Sequence, residues 1–213
     1  MNHFLDTLPA GEESPREERS PGALPAGTLL AGRYQLEREV GAGGMGHVYA
    51  ARDLFLDETI ALKVLREGTV NSEETWRMAL HEMRMARKVT HTNVARLFDV
   101  GQDGAHRFLT MELIVGQSLA ARLRDRGPLP VSEVLQHAQG IAAGLAAIHA
   151  AGVVHRDLKP DNVLLDAGQR VVITDFGISQ SALGGSVRGE MAGTPTYMAP
   201  EQVSGQPLDG RAD

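Results

Sequence analysis

The chain has 213 residues, a hydrophobic fraction of 42% and a formal net charge of -6. That is enough apolar material for one sizeable domain or two small lobes, and the wrong sign for a nucleic-acid binder, which needs clustered cations to neutralise phosphates. There is no cysteine, so a disulfide framework and a thiolate metal site are both excluded.

Residues 1 to 32 are rich in Pro, Gly, Glu, Ser and Arg and show neither a helical nor a strand period, so a disordered tail is expected. Solvated filler and a docking or phosphorylated segment both fit that composition. The N-terminus has no basic end followed by an apolar core, which argues against a signal peptide. No apolar run is long enough for a bilayer, the longest candidate, Ile141 to Val154, being interrupted by His149 and small residues. A cytoplasmic chain is expected.

From Arg33 the pattern becomes strand, glycine turn, strand, with Gly41, Gly43 and Gly46 at G-x-G-x-x-G spacing. Glycines so spaced let backbone amides approach a phosphate chain without side-chain obstruction. Alone the spacing also fits an ordinary glycine hairpin or a dinucleotide fingerprint. The latter needs a helix opening at the glycines, whereas Gly46-His47-Val48-Tyr49-Ala50 alternates as a strand does. Glu58 to Leu65 reads as a strand with Lys63 among apolar neighbours, a position where a lysine needs a compensating partner. Ser72 to Lys88, rich in Glu, Arg, Met, Ala and Leu, predicts a helix capped by Asn71 or Ser72, with Trp76, Met78 and Met85 as packing residues.

Val94 to Val100 and His106 to Leu113 read as further strands. A short helix is expected over Ser118 to Arg126, stopped by Gly127-Pro128, and a longer one capped at Ser132 that carries Leu135, Ile141, Leu145 and Ile148 before Ala151-Gly152. His137 and His149 on it read as structural, since nothing near them resembles a metal set. A strand pair is expected at Val163-Leu164-Leu165 and Val171-Val172-Ile173.

The densest chemistry lies in His155-Arg156-Asp157-Leu158-Lys159-Pro160-Asp161-Asn162, followed by Asp175-Phe176-Gly177. Asp157 can orient a hydroxyl and accept its proton, Asn162 and Asp175 offer hard oxygens suited to magnesium, and Lys159 adds a mobile positive charge. Such an inventory suits phosphoryl transfer. The two stretches resemble the catalytic and magnesium loops of protein kinases, and the glycine loop, strand lysine and Ala199-Pro200-Glu201 complete that family's order of motifs. Lys159 with Gly193-Thr194-Pro195 resembles the serine/threonine branch, and the short loops resemble bacterial Hanks-type kinases.

The resemblance implies an α+β bilobal fold, with a five-stranded antiparallel N-lobe carrying one helix over about 33–114 and a mainly helical, incomplete C-lobe over about 115–213. In the family Asp213 would begin a long central helix that anchors the catalytic loop, so the chain is expected to stop inside the second lobe. The resemblance further implies ATP and Mg2+ as the small-molecule requirements and protein substrates as partners, with self-association for autophosphorylation left open. Asp157 would orient the acceptor hydroxyl, Lys159 would offset charge on the transferred group, and Thr196 would brace both by hydrogen bonds. Lys63 would hold phosphates, its ammonium fixed by Glu82, which otherwise reads as one of several surface acids on its helix. Gly41, Ala42, Gly43, Gly44, Met45 and Gly46 would cover the phosphates, and Val48, Ala61 and Leu164 would sandwich the adenine. Met111 matches the gatekeeper, and Glu112, Leu113 and Ile114 the hinge. Asn162 and Asp175 would carry the metal. Arg156 would receive an anion, supplied by phosphorylated Ser186, with Ser179 and Ser181 behind it, or directly by Glu190. A pseudokinase would carry substitutions at Lys63, Asp157 or Asp175, and none is present. An inert kinase fragment remains the alternative.

Overall fold

The computed structural model describes residues 22–66, 72–176 and 195–213. The first lobe is a six-stranded antiparallel sheet with one long helix. Its strands β1 (Leu29–Leu30), β2 (Tyr34–Gly43), β3 (Gly46–Asp53), β4 (Glu58–Leu65), β5 (Leu97–Asp103) and β6 (His106–Met111) run in the order β1-β2-β3-β4-β6-β5.

Six strands rather than the expected five come from the stretch read as tail. Leu29 and Leu30 pair with Gln35 and Tyr34, Leu30 is 2% exposed, and Leu24 packs on the same cluster while its N–H donates to the Tyr49 hydroxyl at 2.8 Å. Two isolated leucines give no period, but burying them on a preformed sheet face stabilises a strap that is polar elsewhere. The described residues 22–32, expected as part of the tail, therefore pack on this sheet.

Alternation along β4 decides what reaches the cleft. Ile60, Leu62 and Val64 join the strap-side cluster with Tyr34, Leu36, Tyr49 and Phe108, while Ala61 and Leu65 belong to the cluster under the helix. A period of two puts Lys63 on the face of Ala61 and Leu65, toward the helix and the second lobe. The helix, α1 (Glu73–Ala86), starts where the Ser72 hydroxyl accepts from Thr75 N–H at 3.1 Å, and buries Trp76, Ala79, Met83 and Ala86 at helical spacing. Arg107 of β6 fastens its first turn: a guanidinium nitrogen lies 2.9 Å from Glu73 Oε1, and the group covers the Trp76 ring at 4.9 Å.

The stretch expected to begin a strand at Val94 joins the second lobe instead. Ile173 N–H donates to Asn93 O, Ala95 N–H donates to Ile173 O, and the Asn93 amide donates to Val171 O at 2.7 Å. Strand β5 then starts at Leu97. In the second lobe, β7 (Gly116–Ser118), β8 (Val163–Asp166) and β9 (Val171–Ile173) form a three-stranded antiparallel sheet where only the last two strands were expected. Helix α2 (Leu119–Arg126) is capped by Ser118 and ends at Gly127. Helix α3 (Val131–Ala150) begins after Pro130, not at Ser132, because the proline fixes the last extended residue and leaves Ser132 inside the first turn. A side-chain carbon at Gly140 would lie 2.4 Å from Val171 Cγ2, and one at Gly144 2.8 Å from Ile173 Cδ1, so these two glycines let α3 lie close on β9. His137 is 4% exposed within α3, and no group of three or more potential ligands that could hold a metal occurs among the described residues. A short α4 (Pro200–Val203) follows.

One buried cluster runs through both lobes, from Trp76, Met83, Leu109 and Met111 to Val94, Ile148, Ile173 and Phe176. Among the described residues no helix is long and apolar enough to cross a membrane.

Candidate active site

The loop His155–Asn162 is shaped by buried polar contacts at both ends. His155 is 1% exposed, its Nε2 lies 2.9 Å from Thr174 O, and its Nδ1 lies 3.3 Å from Asp157 N. A carbonyl accepts and an amide donates, so the ring carries its proton on Nε2 and accepts at Nδ1. Burial holds the imidazole below its ordinary pKa of 6.5, against the charges of Asp213, Asp175 and Asp157 and the Thr174 hydrogen bond. The neutral ring thus ties Asp157 to the strand end that leads into Asp175.

Below the loop sits Asp213, whose side chain is 0% exposed. Its carboxylate accepts from His155 N–H at 2.7 Å and Arg156 N–H at 2.8 Å, and lies 2.8 Å from His149 Nε2. Arg156 itself has φ +69, a left-handed conformation that costs a non-glycine residue about 1–3 kcal/mol. Two fixed flanking contacts hold it there: the Asp213 carboxylate on its N–H, and the Gln202 side-chain amide donating to its carbonyl. Asp213 and Gln202 carry no local motif; the expectation that a helix beginning at Asp213 anchors the catalytic loop pointed to the first, and nothing pointed to the second.

Asp157 faces the cleft with its carboxylate already oriented. Lys159 Nζ lies 2.9 Å from Oδ2 and 3.1 Å from Oδ1, while the Asn162 amide donates to Oδ2 at 3.0 Å and to the Asp157 carbonyl at 2.7 Å. The 3₁₀ turn Pro160–Asn162 makes this geometry possible, because it folds the chain back within five residues. Thr196, expected to brace Asp157 and Lys159, is exposed in the turn Pro195–Tyr197 and makes no hydrogen bond to either; Lys159 contacts Asp157 directly.

Across the cleft Lys63, 4% exposed, lies 2.6 Å from Asp175 Oδ1. The expected Lys63–Glu82 ion pair is therefore replaced by Lys63–Asp175, and Glu82 Oε1 instead accepts from Arg156 Nη1 at 3.0 Å. Asp175 has φ +63, which swings its side chain out of the line of β9. Burial by itself would raise the Asp175 carboxyl, but the charge and hydrogen bond of Lys63, with His155 and Lys159 farther off, outweigh it and hold the pKa below 3.8.

The remaining expected contacts line the sheet edge of the same cleft. Gly41, Ala42 and Gly43 end β2, Gly44 and Met45 form the turn, and Gly46 opens β3 with Gly43 as its partner. Gly46 has φ +143, and a side-chain carbon there would lie 2.0 Å from Val64 O. Val48 pairs with Lys63, and Ala61 pairs with Met111, the 7% exposed residue that ends β6. Ile114 and Leu164 are half-buried. Glu112 does more than lend its backbone: its Oε2 accepts from Arg96 N–H at 3.2 Å, its own N–H donates to Arg96 O, and Arg170 lies 3.9 Å from Oε1. Gly177, Ser179, Ser181, Ser186, Glu190 and Gly193-Thr194 lie outside the described residues.

Residues 34–213 match the family described as protein kinase domain. Serine/threonine-protein kinase PknL of Mycobacterium tuberculosis is 36% identical over 187 residues, which is 87% of this chain and 47% of PknL. PrkC of Bacillus subtilis is 34% identical over 181 residues, 84% of this chain and 28% of PrkC. The chain thus spans less than half the length of these curated relatives. The crystal structure of the Mycobacterium tuberculosis PknI kinase domain superposes with a TM-score of 0.75 at 33% identity, covering 90% of this chain and 71% of that one.

Proposed function

Since the chain belongs to the protein kinase domain family, we propose that it transfers the γ-phosphoryl group of ATP to serine or threonine hydroxyls of protein substrates, in bacterial signalling. One observation carries this reading: Asp157, Lys159 and Asn162 converge on one braced loop, and Lys63 with Asp175 meets them across the cleft. Phosphoryl transfer asks a protein mainly to position reactants and neutralise charge, and these groups can do both.

An acceptor hydroxyl would attack the γ-phosphorus in line while the bond to the ADP oxygen breaks, and its proton would pass to Asp157. The contacts from Lys159 and Asn162 fix the direction in which that carboxylate accepts. Lys159 would offset charge on the transferred group, and Lys63 would hold the phosphates once they enter. Backbone amides of Gly41 to Gly46 would cover them. Because Glu112 N–H is taken by Arg96 O, adenine would be read by the Glu112 carbonyl and the Ile114 backbone. Asn162 and the ionised Asp175 are a fitting donor pair for Mg2+, which is held by one or two hard oxygens with phosphates and water completing the shell. Bound there, the ion would neutralise phosphate charge.

The test measures phosphate incorporation from labelled ATP, with calorimetry of nucleotide binding alongside. Asp157→Asn should lose about 10²- to 10⁴-fold in transfer while keeping the nucleotide affinity. Equal incorporation by variant and parent would remove Asp157 from its role, and a parent that binds nucleotide without transfer would favour the inert reading.

A further inference from the structure

The turn that would cover the phosphates has little support from its own strand β2. Only Tyr34 and Leu36 are buried there, so from Glu37 to Gly43 the strand carries no core side chain, and its pairing with β3 shifts register between Leu36 and Arg38 and again between Glu39 and Gly41. A bulged two-stranded ribbon is held by what lies on its faces. On β3, His47 and Tyr49 share the outer face, alternating with Val48, which packs on the cluster that joins the lobes. Both are buried, 8% and 2% exposed, and His47 Nδ1 lies 2.9 Å from Glu39 Oε1, which ties the two strands across that face. The strap lies over both: Leu24 N–H donates to the Tyr49 hydroxyl at 2.8 Å, Leu24 and Leu30 join the Tyr49 cluster, and a side-chain carbon at Gly22 would lie 3.8 Å from His47 Nε2. Its other end is fastened to the sheet, Gly27 N–H donating to Leu36 O, Leu36 N–H to Thr28 O, and Ala31 N–H to the Asp103 carboxylate at 2.8 Å.

We propose that the strap of residues 22–32 is a positioning element of the phosphate site, with Leu24 on Tyr49 as the contact that holds the glycine turn down over a nucleotide's triphosphate. This rests on the phosphoryl-transfer reading of the site and adds the part that sets the height of the phosphate cover. Tyr49 stands three residues beyond Gly46, about 10 Å along an extended strand. Lifting the turn from the cleft requires β3 to pivot outward at Tyr49, into the space that Leu24 fills. With the strap docked that movement is blocked and the amides of Gly41 to Gly46 stay within reach of phosphates; without Leu24 the ribbon swings and the same amides are spread over many positions. The coupling runs both ways, because a triphosphate that holds the turn down also stabilises the strap on Tyr49. Adenine lies off this lever: it rests on the hinge, Ala61 and Leu164, and Val48 adjoins the pivot, where the displacement is smallest.

The test uses point variants of the full chain. Tyr49→Phe keeps the ring and leaves Leu24 N–H without its acceptor, and Leu24→Ser removes the apolar contact. Both should bind magnesium with a non-hydrolysable ATP analogue about two- to tenfold more weakly than the parent, the range that loss of one hydrogen bond allows. Their affinity for adenosine, which has no phosphates to cover, should stay within about twofold of the parent. Leu29→Ser alters the 47% exposed residue of the same strap and should match the parent with both ligands. In the parent, hydrogen exchange at the Leu24 amide should slow when the ATP analogue binds and stay the same when adenosine binds. A merely structural strap would lower the melting temperature of the variants and leave both affinities alone, or weaken both ligands alike. Either result in folded variants would overturn the proposal, as would Leu24 exchange that the ATP analogue leaves unaltered. If the parent binds no ATP analogue, the phosphoryl-transfer reading fails, and the strap is then judged by exchange at the amides of residues 41–48 without ligand. Faster exchange in Leu24→Ser than in Leu29→Ser would support the lever, and equal exchange would overturn it.

Discussion

Removing the Asp213 carboxylate should loosen the whole catalytic loop. It accepts two backbone amides, His155 N–H at 2.7 Å and Arg156 N–H at 2.8 Å, from a side chain that is 0% exposed. Asp213→Asn keeps one acceptor oxygen but turns an N–H₂ toward the second amide, leaving one buried donor without a partner at a cost of about 1–3 kcal/mol. Asp213→Ala strands both amides and frees Arg156 from its left-handed backbone, for a total of about 3–5 kcal/mol. In a domain of this size one kcal/mol moves the melting temperature by roughly 2–4 °C. The melt should thus fall by about 2–12 °C for Asp213→Asn and by about 6–20 °C for Asp213→Ala. Thermal unfolding by circular dichroism gives the first number, and hydrogen exchange at the His155 and Arg156 amides locates the effect. If Asp213→Ala melts within about 1 °C of the parent and those amides keep their protection, the carboxylate is not what fixes the loop.

Two glycines flanking the turn between β2 and β3 should fail differently. Gly46→Ala meets Val64 O at 2.0 Å and a φ of +143, so it should destabilise by at least about 2 kcal/mol and show a lower urea midpoint; no change in that midpoint would contradict the close approach. Gly41→Ala has nothing within 4 Å and should leave the melt unaltered while weakening nucleotide binding, a split that calorimetry beside the melt can read. Stability should also depend on pH through His155. Its folded pKa is lowered, so above 6.5 the neutral ring contributes fully; as pH falls through 6.5 toward the folded value the unfolded chain takes the proton first and stability drops. Urea midpoints at pH 5 and pH 7 should therefore differ in the parent and differ less in His155→Gln, and equal differences would exclude the ring.

How far the sequence reveals this molecule depends on how far apart the interacting groups lie along it. Asp157, Lys159 and Asn162 sit within five positions, so the turn that joins them also sets their geometry, and their grouping can be read from spacing alone. The alternation of β4 likewise sets Lys63 on one face with Ala61 and Leu65, because period two is a property of the strand itself. Partner choice is different. Lys63 and Asp175 are 112 positions apart, and Arg156 and Glu82 are 74 apart. The same four charges can be paired in more than one way, and the partly exposed Arg156–Glu82 pair contributes about 1 kcal/mol or less, a difference that residue identity does not decide. The N-terminal strap escapes detection for a related reason. Leu24 and Leu30 lie among prolines and glycines with no period, and they become core only because β2 and β3 present Tyr34 and Tyr49 to cover them. Asp213 combines both difficulties, being a single acid in a polar stretch whose two amide donors lie 58 and 57 residues earlier. What the sequence does constrain is chemistry: a lysine inside an apolar strand must find a carboxylate, and of the two acids suited to it, Asp175 and Glu82, the fold brings Asp175 to it.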